Sequence, residues 1–126
     1  VLSWWRGPRK FDEFSALCQD PLTDGTLDWC QETGAIALAW SPLAGGRLFS
    51  ENSAVTDTLD RLAKNYESTR GNVALAFTMR HGADVIPIIG TQKTERIIES
   101  AKAAELPLTA RDFYDIVEAY RGEKMP

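Results

Sequence analysis

Residues 34–46 read Gly34-Ala35-Ile36-Ala37-Leu38-Ala39-Trp40-Ser41-Pro42-Leu43-Ala44-Gly45-Gly46, and this stretch decides the fold class. Residues 35–40 are apolar at every position, the pattern of a strand covered on both faces rather than of one with a wet side. Such strands belong to parallel sheets with helices packed against them. Pro42 and the pair Gly45-Gly46 end the run, so residues 41–46 suit neither strand nor helix. A second run of the same kind spans residues 85–89, is interrupted by Pro87, and is followed by Gly90-Thr91.

Working outward, helical patterns alternate with these runs. Residues 21–34 read as a helix, with Leu22, Leu27, Trp29 and Cys30 as its apolar positions. Asp24 and Asp28 favour its N-terminal half, and Gly34 supplies the stop. Residues 53–66 form a polar helix. Residues 72–81 form a stronger one, with Val73, Ala76, Phe77 and Arg80 on helical spacing and Gly82 closing it. A further helix covers residues 94–104. Thr109 is expected to cap the last helix, with Asp112 three residues on in the manner of a capping box. Residues 11–17 read as a short strand, whereas residues 1–10 are basic, aromatic and without a usable period. Strands alternating with helices mean parallel βα units, an α/β fold. Two or three such units are too few to close a barrel and would leave long unpaired edges. The chain is therefore expected to be part of something larger.

Composition narrows the function classes. With 126 residues, 44% apolar and 25% charged, the chain is neither disordered, collagenous nor a coiled coil. Its apolar stretches are too short to cross a bilayer, so no membrane role is read. A net charge of −4 provides no basic stripe along a duplex, which argues against nucleic acid as a partner. Cys18 and Cys30, with His81 as the single His, fall short of a zinc ligand set and read as free thiols in a reducing compartment. Val1 is not a start methionine and Val-Leu-Ser-Trp-Trp-Arg is no export leader, so a processed or truncated chain in the cytoplasm is expected.

In α/β folds the working residues sit just past the C-terminal ends of the strands. That rule selects residues 40–46 and 90–96. A Trp at a strand tip offers a flat face for stacking on a planar ring, and Gly45-Gly46 lets the backbone come close to a phosphate. The second segment, Gly90-Thr91-Gln92-Lys93-Thr94-Glu95-Arg96, opens a helix whose free N–H groups favour an anion. Lys93 and Arg96 add charge there, and Arg matches phosphate through paired hydrogen bonds. Each segment also has a plain structural reading. Trp40 would then be core and the glycines a simple turn; Thr94 would be an ordinary cap, with Lys93 and Arg96 on solvated surface.

Taken together, these segments resemble the aldo-keto reductase family. Residues 34–46 are similar to its seventh-strand motif, and Val73-Ala74-Leu75-Ala76-Phe77 to the helix before its last strand. Ile86-Pro87-Ile88-Ile89-Gly90-Thr91, followed by Glu95-Arg96-Ile97, resembles its eighth strand and cofactor loop. Asp20-Pro21-Leu22-Thr23-Asp24-Gly25-Thr26-Leu27-Asp28 resembles its bacterial branch. The likeness covers residues 13–122, leaving an atypical segment 1–12 and a tail 123–126. It implies the last two to three repeats of a (β/α)8 TIM-type barrel, incomplete as given. The implied function is a fragment of an NADPH-dependent oxidoreductase that reduces carbonyls to alcohols by hydride transfer.

By that resemblance Trp40 stacks on the nicotinamide, and Ser41, Leu43 and Gly45 line the pyrophosphate. Gly90, Thr91, Gln92 and Lys93 surround the adenosine 2′-phosphate, Arg96 grips it, and Glu99 lies near the adenine amino group. Ser100 stands where the family commonly has Asn. At the front the family's Asn-Gln-Ile/Val-Glu is replaced by Lys10-Phe11-Asp12-Glu13, of which only Glu13 fits. The family's catalytic Asp, Tyr, Lys and His belong to the first five strands. Tyr66, Tyr114, Tyr120 and His81 lack the surrounding motifs, and His81 reads as a helix-end residue. The chain is thus expected to keep cofactor-binding elements, with NADP as cofactor, and to lack the catalytic tetrad. Non-catalytic nucleotide or phosphate binding, or a self-assembling structural fragment, are the alternatives. Because the inner face of such a small sheet has no barrel to face, a homo-oligomer is expected.

Overall fold

The computed structural model describes residues 24–125. The expected strand at 11–17, Cys18 and the atypical segment 1–12 lie outside the described residues. Helix α1 (Thr26–Thr33) begins later than residue 21 because Asp24 accepts the Thr26 N–H at 2.8 Å and Gly25 precedes it in a left-handed conformation. Gly34, with φ 72°, stops it as expected.

Strand β1 (Leu38–Trp40) runs parallel to β2 (Ile86–Ile88), with Leu38 opposite Ile86, Ala39 opposite Pro87 and Trp40 opposite Ile88. The parallel pairing follows from the helices between them, since parallel strands need a crossover. Two expectations are corrected here. Both strands are shorter than the apolar runs, because a strand extends only as far as a partner accepts its hydrogen bonds, and among the described residues each has one neighbour. The second is burial on both faces of the apolar runs; the structure instead has the open inner face expected of so small a sheet. Ala37, Ala39 and Val85 are buried beneath helices, whereas Ile36, Leu38, Trp40, Ile86 and Ile88 point to the open side.

Residues 41–46 are also corrected. A 3-10 turn (Ala44–Gly46) and a short helix α2 (Arg47–Ser50) follow β1 where only a break was expected. Helix α3 (Ala54–Asn65) starts on a reciprocal cap: Ser53 Oγ accepts the Thr56 N–H at 3.3 Å, and Thr56 Oγ1 accepts the Ser53 N–H at 2.8 Å. Its buried Val55, Leu59, Leu62 and Ala63 recur at helical spacing and form one packing stripe. Helix α4 (Arg70–Met79) begins two residues before the expected start because Thr69 Oγ1 accepts the Asn72 N–H. Every residue from 71 to 78 is buried, so α4 is the central rod, touching α3 on one side and β2 on another.

Helix α5 (Thr94–Ala101) tightens into a 3-10 turn (Lys102–Glu105), which ends the helix expected to reach residue 104. Helix α6 (Ala110–Arg121) carries the expected capping box, in which Thr109 Oγ1 accepts the Asp112 N–H and Asp112 Oδ2 accepts the Thr109 N–H at 2.9 Å. Ile116 and Val117 seat α6 on α3, and Phe113 stacks on Phe77 with ring centroids 4.7 Å apart. Tyr66, at the end of α3, donates to Asp112 Oδ2 at 2.5 Å and so ties the two helix ends together. Both selected segments, 40–46 and 90–96, lie at the C-terminal ends of neighbouring parallel strands.

Candidate cofactor cleft

A cleft of about 850 Å3 opens at those strand ends. Trp40, Ser41, Leu43 and Gly45 line it from β1 and the turn that follows. Gly90, Thr91, Arg96 and Glu99 line it from the β2–α5 side. Gln92 and Lys93 are exposed and stand outside its lining. Trp40 is 55% exposed, so its ring is available rather than packed in a core. This corrects the reading of Trp40 as core, and the physical cause is its place on the open face of the sheet.

The turn after β1 is wound unusually tightly. Ser41 (φ 52°), Ala44 (φ 54°), Gly45 (φ 63°) and Gly46 (φ 89°) all occupy the left-handed region, which costs non-glycine residues about 1–2 kcal/mol each. Backbone held this way gathers at ligand sites. A Cβ built on Gly45 or Gly46 meets no protein atom within 4 Å; side chains there would stand in the open space of the cleft. The glycines therefore leave room for an occupant instead of relieving a clash. Gly71 differs, because a Cβ there would come within 3.2 Å of Phe49 Cζ; its bareness lets the Phe49 ring lie across α4 at the cleft edge.

On the other side, Lys93 is the N-cap of α5 and makes no side-chain cap, which replaces the reading of Thr94 as the cap. Thr91 Oγ1 accepts the Lys93 N–H at 3.2 Å and bends the loop into the helix. Arg96 and Lys93 have no ion-pair partner among the described residues, and of the two it is Arg96, in the first turn of α5, that lines the cleft. Glu99, one turn on, is held from two sides: Asn72 Nδ2 donates to Oε1 at 3.2 Å, and Lys102 Nζ meets Oε2 at 2.7 Å.

Sequence reading missed Phe49, Gly71, Asn72 and Leu75 as lining residues. Asn72 and Leu75 sit in what reads as a core helix and Gly71 just before its expected start, where an apolar pattern does not tell a cleft-facing side from a core-facing one. His81 lies in the turn after α4, where Nδ1 accepts the Ala83 N–H at 3.2 Å, a role in closing the turn. Cys30 is a buried free thiol. Among the described residues no cluster of His, Cys, Asp or Glu could hold a metal ion, and no helix is long and apolar enough to cross a membrane.

The aldo/keto reductase family profile matches residues 13–121. The chain belongs to the aldo/keto reductase family. It is 39% identical over 118 residues to 6-dehydroglucose reductase of Novosphingobium aromaticivorans, spanning 90% of this chain and 39% of that protein. It is 35% identical to the uncharacterized oxidoreductase YcsN of Bacillus subtilis, spanning 90% of this chain and 40% of the relative. The chain thus spans about two-fifths of the length of these relatives. Among solved structures, the thermostable aldo-keto reductase Tm1743, in complex with the inhibitor epalrestat, superposes with a TM-score of 0.65 at 31% identity. That match covers 75% of this chain and 33% of Tm1743. Aldose reductase from Giardia lamblia shares the fold, with a TM-score of 0.60 over 82% of this chain and 34% of that one. Aldo-keto reductases work with a nicotinamide cofactor, and the helix-rich α/β arrangement around two parallel strands described here is the part of their architecture this chain supplies.

Proposed function

We propose that this chain is the cofactor-holding end of an NADPH-dependent aldo-keto reductase. The observation that carries the reading is the cleft itself. An exposed Trp ring stands at one strand end and an Arg with no ion-pair partner among the described residues at the neighbouring helix start, with an open left-handed glycine turn beside them. Trp40 stacks on the nicotinamide, and Ser41, Leu43 and Gly45 follow the pyrophosphate. Gly90, Thr91, Gln92 and Lys93 surround the adenosine 2′-phosphate, Arg96 pairs with it, and Glu99 accepts from the adenine amine. The bare Cα atoms of Gly45, Gly46 and Gly90, each with open space where a Cβ would be, fit such an occupant.

The bound cofactor supplies the hydride. The family's proton-donating Tyr and its Lys neighbour belong to earlier barrel strands, so turnover requires those elements, and this chain by itself holds cofactor without reducing a carbonyl. Two relatives are named for reduction of 6-dehydroglucose, which makes that compound a natural member of a substrate panel for the whole enzyme. The buried free thiol of Cys30 suits a reducing, cytoplasmic setting.

Calorimetric titration with NADPH and NADH tests the reading. The chain is expected to prefer NADPH, and Arg96→Ala to abolish the preference at a cost of about 1.5–3 kcal/mol, the scale of a charged hydrogen bond. Equal affinity for the two cofactors, or an unchanged preference in the variant, refutes the role of Arg96.

A further inference from the structure

Asn72 is a polar side chain in an apolar helix. It is 97% buried, being 3% exposed, and its neighbours Gly71, Val73, Ala74 and Leu75 are buried as well. A buried amide without a hydrogen bond is unfavourable, so its partner explains its place. That partner is Glu99, reached across 27 residues of sequence by Nδ2 at 3.2 Å from Oε1. Both residues line the cleft. Lys102 takes the other carboxylate oxygen, but it is mostly exposed and on the same helical segment as Glu99, where such pairs contribute little. Asn72 is the contact that fixes Glu99 from a different, rigid element.

We infer that Asn72 is a positioning residue that makes Glu99 selective for a 6-amino purine. A carboxylate oxygen has lone pairs to spare after one hydrogen bond. With Oε1 anchored by the Asn72 amide, Glu99 keeps an acceptor directed into the cleft. An exocyclic amine satisfies that acceptor, whereas a 6-oxo purine presents its own lone pairs and is repelled. Released from Asn72, the carboxylate turns toward Lys102 and solvent, and the discrimination is lost. The inference rests on the cofactor reading above and deepens it at the adenine end, away from the 2′-phosphate.

The test compares NADPH with its reduced hypoxanthine analogue, and NADPH with NADH, by fluorescence titration of the 126-residue chain. The unmodified chain is expected to favour the amino base by about tenfold, the scale of one charged hydrogen bond. Asn72→Leu, similar in size but without a donor, is expected to bring that ratio near one and leave the NADPH over NADH preference intact, since Arg96 is untouched. Asn72→Ser, too short to reach Glu99, should behave the same way and serves if the Leu variant does not fold. A folded variant that keeps its base preference overturns the inference, as does an unmodified chain without one. If both variants lose their helical circular dichroism, Asn72 is a folding residue and the assignment falls. If the unmodified chain binds neither NADPH nor the analogue, the cofactor reading itself fails and takes this one with it.

Discussion

The open face of the sheet has a consequence that a single substitution can probe. Ile36, Leu38, Trp40, Ile86 and Ile88 are 41–64% exposed, and the register sets Leu38 beside Ile86 and Trp40 beside Ile88, so the patch is continuous. Full burial of a large apolar side chain is worth about 1.5–3 kcal/mol, so covering the exposed halves of five gives about 4–8 kcal/mol per chain. Two such faces meeting gain roughly 12 kcal/mol. Against an association cost of about 6 kcal/mol, within the accepted range, some 6 kcal/mol remains, a dissociation constant of order tens of micromolar. We therefore predict that the 126-residue chain dimerises through this face. Ile86→Lys should abolish the dimer, because in a twofold contact each substitution counts twice and each leaves a charge against apolar surface. Light scattering behind a sizing column, from about 1 to about 200 µM to span that constant, reads the outcome. The unmodified chain should move from 14.0 kDa toward twice that mass, and the variant should stay at 14.0 kDa. A wild-type chain that stays monodisperse at 14.0 kDa throughout refutes the reasoning and means that the face is covered within the chain.

Two further outcomes concern the scaffold behind the cleft. Leu59, wholly buried in the α3 packing stripe, should cost about 3–4 kcal/mol when replaced by Ala. That lowers the thermal midpoint by about 12–25 °C in a domain of this size, with the NADPH over NADH preference unaffected; a drop of only a few degrees would remove Leu59 from the core. Burial pushes the Asp112 carboxyl up, but hydrogen bonds from Thr109 and Tyr66, with Arg61 nearby, outweigh it and hold the group below its ordinary 3.8. A depressed folded value means that the contribution is present above pH 3.8 and is lost as pH falls through the folded value. The Tyr66 hydroxyl is raised, chiefly by its hydrogen bond to Asp112, so its share is present below pH 10 and fades as pH rises through the folded value. Tyr66→Phe should therefore lower the urea midpoint at pH 7 and flatten its decline at both pH extremes; an unchanged pH profile would sink this account of the pair.

What could be read from the sequence was what depends on near neighbours. The Thr109–Asp112 box, the Ser53 helix start and the Gly34 stop each need only residues within one turn, so their chemistry is visible in a short window. The parallel pairing was legible for a related reason: alternation of apolar runs with helices forces a crossover. Strand length and the exposure of Trp40 were not, since an apolar run reports only that burial is favourable. Whether a partner covers it depends on chain elsewhere. The left-handed turn at Ser41 and Ala44 was also hidden, because neither residue type signals that conformation as the adjacent glycines do.

The cleft divides along the same line. Its two loops announce themselves locally, one by a Gly-Gly pair after an aromatic and the other by cations at a helix start. Its floor does not. Asn72, Gly71 and Leu75 come from α4, whose apolar run 73–77 reads as core and is core on its other sides. A helix buried all round has no solvent face on which a cleft-lining residue would stand out, and of its two buried polar side chains Thr78 is satisfied within the helix by the Ala74 carbonyl whereas Asn72 reaches outside it. The Asn72–Glu99 contact joins that side chain to a carboxylate on another helix, and it becomes visible only when the fold brings the two elements within 3.2 Å. A buried polar residue inside an apolar helix that borders a cleft is thus better treated as half of a contact whose other half lines that cleft than as an irregularity of the core.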